Sequence, residues 1–142
     1  MKREICIVLA NYYDKIGLDL LSGAEQTLKA YRTHGINRAE KTIFVPGVFE
    51  IPVVIAKNIK KFDAFIALGC VIKGKTPHFD FISSAVTNAI MDISITHKKP
   101  IGNGILTCLN AKQAFERANS KKENKGKGGE AARAVIKILG IT

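Results

Sequence analysis

Phe65-Ile66-Ala67-Leu68 runs directly into Gly69-Cys70-Val71-Ile72-Lys73-Gly74-Lys75-Thr76-Pro77-His78-Phe79-Asp80, and from Phe81 onward apolar residues recur at helical spacing. An apolar strand, a Gly/Lys/Thr loop and a helix in that order form the first part of a strand–helix–strand unit. Such a loop presents free backbone N–H groups at the positive end of a helix dipole, and the two together attract phosphate. His78 adds an imidazole, the side chain suited to moving a proton near neutral pH. The expectation is an anion site with a proton-transfer group beside it.

The same alternation extends in both directions. Residues 5–9 read as a buried strand, followed by a helix marked by Leu18, Leu21, Ala24 and Leu28 and stopped at Gly35. A strand at residues 42–45 meets Pro46-Gly47, and Ile51, Val54, Ile55 and Ile59 mark a second helix that tolerates Pro52 only in its first turn. The third strand covers residues 64–69 or slightly beyond, and the helix after it carries Phe81, Ile82, Ala85, Val86, Ala89, Ile90 and Ile93 on one face before Pro100. A fourth strand at residues 104–108 precedes a short helix at 111–118, a linker-like stretch at 119–129 and a last helix burying Ala131, Val135, Ile138 and Leu139. Largely apolar strands that alternate with helices make a parallel sheet covered on both faces. The fold class is α/β: a three-layer, flavodoxin-like sandwich with a four-stranded parallel sheet, in one domain spanning residues 1–142.

At 142 residues and 46% hydrophobic, the chain is long enough to bury a real core. Its formal charge of +10 is uneven: residues 1–50 carry seven Lys/Arg against six Asp/Glu, and residues 51–142 carry fifteen against six. A basic half suits nucleic acid, an anionic membrane surface or a phosphorylated small substrate. RNA binding calls for aromatics among the basic residues, and residues 112–133 hold only Phe115. Cys6, Cys70 and Cys108 are odd in number and widely spaced, which fits a reducing cytoplasm and no metal site. No segment approaches the roughly 20 apolar residues of a membrane span, and no signal peptide is expected.

Ligands of such sheets bind at the carboxyl ends of the strands. Residues 11–14, 46–50, 70–78 and 109–110 are therefore expected to share one site. Tyr12 and Tyr13 can stack on a planar heterocycle or simply pack. Glu50 can accept hydrogen bonds from hydroxyls or favour a helix dipole. Arg117 and Lys125 read as surface charge unless the fold turns them to an anion, and His34 and His97 read as partners of helix C-termini. These residues on their own describe an α/β domain for a phosphorylated, aromatic ligand and name no reaction.

Pro46-Gly47-Val48-Phe49-Glu50-Ile51-Pro52, the segment from Gly69 to Asp80, Gly104-Ile105-Leu106-Thr107, Gln113-Ala114-Phe115-Glu116-Arg117-Ala118 and Asn124-Lys125-Gly126 together resemble the 6,7-dimethyl-8-ribityllumazine synthase family in order and spacing. Leu20-Leu21-Ser22-Gly23-Ala24 is similar to its first helix. The resemblance covers nearly the whole chain. It implies a cofactor-free condensation of 5-amino-6-(D-ribitylamino)uracil with 3,4-dihydroxy-2-butanone 4-phosphate, releasing phosphate and water in riboflavin biosynthesis. It further implies a homo-oligomer with sites between subunits and a functional link to riboflavin synthase; a cytoplasmic pentamer is expected in preference to a 60-subunit shell.

The implied roles follow the matching positions. Tyr12 stacks on the pyrimidine. Val48, Phe49 and Glu50 hold the ribityl-bearing substrate, Cys70, Val71 and Ile72 line it through backbone groups, and Lys125 lies near the ribityl chain. Lys75, Thr76 and Arg117 bind phosphate, and His78 transfers protons. The chain departs from the family at Val48, where Ala is usual, and at Asn103, where many members place an aromatic ring given by a neighbouring subunit. It departs again at Lys127-Gly128-Gly129, which is expected to lengthen the turn into the last helix by about two residues and disfavour a shell. Two rival readings stay open: a Schiff-base lyase using Lys73, Lys75 or Lys125, and a noncatalytic module for flavin, nucleotide or RNA.

Overall fold

The computed structural model describes residues 3–31 and 41–140. Four strands, β1 (Ile5–Ala10), β2 (Lys41–Val45), β3 (Ala64–Ile72) and β4 (Ile101–Cys108), form one sheet in the order β2-β1-β3-β4. Every neighbouring pair is parallel. The expected α/β three-layer sandwich is thus the observed one. The helices α1 (Asp14–Ala30), α4 (Ala111–Ala118) and α5 (Gly126–Ile138) cover one face, and α2 (Ile51–Lys57) and α3 (His78–His97) the other.

Alternation along the central strands separates the two cores. Ile5, Ile7, Leu9, Ile66 and Leu68 face α1, α4 and α5, whereas Cys6, Val8, Phe65 and Ala67 face α2 and α3. All these side chains are fully buried. Both faces of β1 and β3 are apolar because both are covered, so these strands read as unbroken hydrophobic runs. Pro52 sits in the first turn of α2, where its missing N–H costs no helical bond. At the far end of that helix, Lys99 Nζ donates to the carbonyls of Ile59 and Phe62 at 2.6 and 2.9 Å.

Several boundaries differ from the sequence expectation. Residues 70–72 extend β3 instead of beginning the loop, and β4 starts at Ile101 because it pairs with Phe65. On α1 the buried stripe is Ile16, Leu20, Ala24 and Leu28, while Leu18 is exposed and Leu21 half-buried. The helical period admitted either neighbouring stripe, and contact with the sheet selects one. On α3 only Val86 and Ile90 are buried, and Phe81 and Ala85 point outward. Gly35 and His34 lie outside the described residues; His97 does close α3. Among the described residues no helix is long and apolar enough to cross a membrane.

The stretch expected to be a linker is packed at both ends, with residues 121–124 exposed between them. Ser120 is buried, with its backbone N–H and hydroxyl both donating to Asp19 Oδ1 on α1. Lys127-Gly128-Gly129 is not a longer turn; these residues form the first turn of α5. Gly128 faces α1 so closely that a Cβ would collide with the Leu20 carbonyl oxygen. Gly102 allows the same intimacy with β4, since a Cβ there would lie 2.5 Å from the Ala131 oxygen. Small residues let the backbones of α1, α5 and β4 approach one another, which converts apparent flexibility into a tight contact.

Burial also governs the thiols. Cys6, Cys70 and Cys108 are all free and buried. Burial, slightly opposed by Lys41, pushes the Cys6 thiol up to about 11, and burial with the neighbouring Cys108 pushes Cys70 up to about 12. Because the folded chain disfavours these thiolates, their stabilising contribution is whole below 9.0, the ordinary thiol value, and is lost as pH rises toward 11 and 12.

Two outcomes follow from this packing. Gly128→Ala should lower the melting temperature: alanine favours a helix by about 1 kcal/mol, but overpacking against a fixed carbonyl costs about 1–3 kcal/mol or more. An unchanged or higher melting temperature would contradict the backbone contact between α1 and α5. Iodoacetamide at pH 8 should label the native protein slowly at every cysteine and rapidly only in urea; fast native labelling at Cys70 would show that the end of β3 opens.

Candidate functional site

Segments following β1 and β2 meet the carboxyl end of β3 around a cleft of about 350 Å³. Tyr12, immediately after β1, is 75% exposed and offers an open ring face. It stands edge-on to Tyr13, with ring centroids 5.0 Å apart and an interplanar angle of 89°. Tyr13 packs inward against the core. Burial first, then Tyr12 and Cys70, raises its phenol above the ordinary value.

The opposite wall begins with a 3₁₀ turn, Val48–Glu50, that leads into α2. Val48 is buried on the cleft floor because Gly69 of β3 leaves it room: a Cβ at Gly69 would lie 2.8 Å from Val48 Cγ2. Phe49 is 60% exposed at the rim. The half-buried Glu50 keeps its carboxylate beside Gly47, where a Cβ would approach Oε1 to 3.1 Å. That carboxylate caps no helix N–H, which leaves its oxygens available as acceptors.

Cys70, Val71 and Ile72 form the third wall as the last residues of β3. They pair with Leu106, Thr107 and Cys108 of β4. Alternation turns their side chains to opposite faces, so backbone is what the strand end presents to the cleft in common. Beyond them, residues 73–77 are exposed. Thr76 Oγ1 accepts from the His78 backbone N–H at 3.4 Å, and His78 opens α3 with its imidazole on the cleft wall. Lys75 and Thr76 lie at that helix N-terminus but outside the cleft lining.

The remaining candidates lie elsewhere on the subunit. Arg117, exposed on α4, lines a second cavity of about 380 Å³ between the end of β4 and the start of α5. Lys125 precedes α5 with a left-handed backbone, φ 63°, a conformation uncommon for a residue with a side chain. Its neighbours hold it there: Asn124 Oδ1 accepts from the Gly126 N–H at 2.9 Å, and Arg133 Nη1 donates to the Asn124 carbonyl at 2.6 Å. Asn103 is exposed in the middle of the edge strand β4, where its Oδ1 accepts from the Ile105 N–H at 3.1 Å.

The sequence expectation that residues 109–110 share the first cleft is not met. Asn110 Oδ1 accepts from the Gln113 N–H and Gln113 Oε1 from the Leu109 N–H, both at 2.9 Å, so this segment caps α4. Tyr13 and Gly47, within the segments expected to share the site, line the cleft as expected, and Ile82 joins it without having been expected. Ile82 is reached only through the first turn of α3. Thr107, Lys122, Lys127 and Glu130 likewise surround Arg117.

Residues 2–142 match the family model described as 6,7-dimethyl-8-ribityllumazine synthase. A protein of that name from Bartonella henselae is 44% identical over 99% of this chain and 88% of its own length. Another from Bartonella tribocorum is 41% identical over 99% and 90%, and one from Cutibacterium acnes 40% over 96% and 80%. A parallel α/β sheet, a cleft at its carboxyl edge and whole-length identity of this order place the chain in the 6,7-dimethyl-8-ribityllumazine synthase family, enzymes of the transferase type in riboflavin biosynthesis.

Proposed function

We propose that the protein condenses 5-amino-6-(D-ribitylamino)uracil with 3,4-dihydroxy-2-butanone 4-phosphate to give 6,7-dimethyl-8-ribityllumazine, with phosphate and water released. The observation that carries this reading is the cleft itself: an open aromatic face on Tyr12, an acceptor carboxylate on Glu50, a strand-end backbone at residues 70–72 and the His78 imidazole surround one volume. A pyrimidine with a polyhydroxy chain needs such a set. Tyr12 stacks on the ring, the end of β3 hydrogen-bonds its edge, and Glu50 accepts from ribityl hydroxyls, with Val48 and Phe49 enclosing the apolar side.

The phosphate end requires cations, and the residues lining the Tyr12–His78 cleft include no lysine or arginine. Lys75 and Thr76 supply a donor loop at its edge. Arg117, Asn103 and Lys125 lie outside that cleft on the same subunit, so a neighbouring copy is the economical source of the second set. The outward apolar residues support assembly: Phe49, Val53, Phe81, Met91 and Ile95 are each more than half exposed. Phe49 and Val53 border an apolar groove against α3 of about 440 Å³. Large exposed apolar patches of this kind mark interaction surfaces. The assembly we propose is a homopentamer with its sites between subunits.

The chemistry is amine attack on the ketone, loss of water, elimination of phosphate and ring closure. Holding two substrates together is worth an effective molarity of roughly 10⁵ to 10⁸ M, whereas one positioned acid–base group contributes about 10² to 10⁴ in rate. Orientation therefore outweighs His78, which relays protons between the reacting nitrogen, the carbonyl oxygen and the departing water.

Mixing the two substrates with the protein should produce lumazine fluorescence well above a protein-free control. His78→Ala should reduce kcat by about 10² to 10⁴ and leave a measurable rate; complete loss in a folded, substrate-binding variant would mean the imidazole does more. Arg117→Ala should raise KM for the phosphate substrate by about ten- to a hundredfold, the worth of charge-assisted hydrogen bonds, and leave the pyrimidine KM nearly unchanged. Sedimentation at five chain masses supports the pentamer; a boundary near a megadalton replaces it with a shell.

A further inference from the structure

The cavity beside Arg117 holds cations that the reading above does not use. Arg117, Lys122, Lys127 and Glu130 share its lining with Thr107 and Asn124. Lys127 Nζ donates to Glu130 Oε1 at 3.2 Å, one helical turn away on the same face of α5. Lys127 is placed in the first turn of α5, where the helix dipole is positive and a cation is least at home. Glu130 offsets that placement.

The position of Lys127 is set by packing rather than by its own charge. Gly128 and Gly129, the next two residues, are buried with α1 and the turn before α5 close against them. That contact fixes the rotation of the first turn and directs residues 127 and 130 to the opposite side, into the cavity. The Lys127 side chain is 30% exposed, against 61% for Glu130. Lys122, by contrast, is exposed in the preceding turn. Arg117, Lys122 and Lys127 bring three positive charges and Glu130 removes one, which leaves two. A phosphate monoester carries about −1.5 to −2 at pH 7 and three acceptor oxygens.

We propose that Lys127 is a second phosphate-binding cation, paired with Glu130 and transferred to the phosphate anion when it arrives beside Arg117. The carboxylate thereby sets how tightly the cavity holds phosphate: it competes for the lysine and repels the anion. Only the identity of the anion as the phosphate of the substrate and product rests on the proposed reaction; the cavity's preference for phosphate does not.

The test is calorimetric titration of the intact protein with inorganic phosphate, followed by KM for the phosphate substrate. Lys127→Gln should weaken phosphate binding by roughly five- to tenfold, the effect of losing one partly exposed charge-assisted hydrogen bond, and Lys127→Arg should restore most of it. Glu130→Gln should tighten binding by a few fold, the opposite sign, which a loss of structure does not produce. Parallel shifts in KM assign the same cation to the substrate's phosphate; shifts for free phosphate alone overturn that assignment. Phosphate binding that Arg117→Ala weakens and Lys127→Gln leaves unchanged overturns the inference and leaves the proposed reaction standing. Wild-type protein that binds no phosphate overturns it too, while lumazine formation is judged separately by fluorescence.

Discussion

Two-sided burial of β1 and β3 is the constraint on which the rest of the molecule depends. Parallel strands cannot be joined by a tight turn, so each must leave the sheet at its carboxyl end and return through a helix. Both faces of the central strands are apolar and must be covered, and the right-handed crossover leaves few ways to arrange the helices. Every segment that departs from the carboxyl edge therefore departs near the others. Tyr12 after β1, Val48–Glu50 after β2 and His78 after β3 come together because the strands that carry them are hydrogen-bonded neighbours.

A second contact positions the basic cavity. The backbones of α1, α5 and β4 approach closely at Gly23, Gly102 and Gly128. This draws the start of α5 down onto the end of α4 and gathers Arg117, Lys127 and Glu130 around one cavity. The left-handed backbone at Lys125 belongs to the same device, since it lets α5 begin abruptly at Gly126 without a longer loop. Packing in the interior thus decides where surface cations point. A purely electrostatic reading of the basic second half would have missed this, because scattered lysines look alike until the glycines between them choose a direction.

The fold was legible in the residues to a large degree. Apolar runs at residues 5–9 and 64–69 bounded by turn residues identified the central strands, and residues 111–118 marked α4 with its observed limits. The misses share a physical cause: each depended on a partner distant in sequence. Residues 70–72 and 101–103 are strand because β3 and β4 pair with each other, and no local pattern announces that register. Leu18 and Phe81 belong to helical apolar stripes, yet the sheet covers only part of each stripe. The glycine-rich stretch at 126–129 resembles a linker by composition and is a helix by contact.

For the site, the chain by itself determined the chemistry on offer: an imidazole at a helix start, a donor loop with Lys75 and Thr76, an acceptor carboxylate at Glu50, tyrosines after β1 and an arginine on α4. Residue type and local helix-start signals suffice for that inventory, because it names the groups and not where each strand ends. Tertiary structure alone decided which of these groups share a volume. It brought Tyr12, Glu50 and His78 around one cleft, placed Arg117 in another cavity with Lys127 and Glu130, and turned residues 109–110 into a helix cap. The reason is that proximity between strands is set by register and by how closely helices pack on the sheet, and both quantities belong to pairs of distant residues rather than to any one segment.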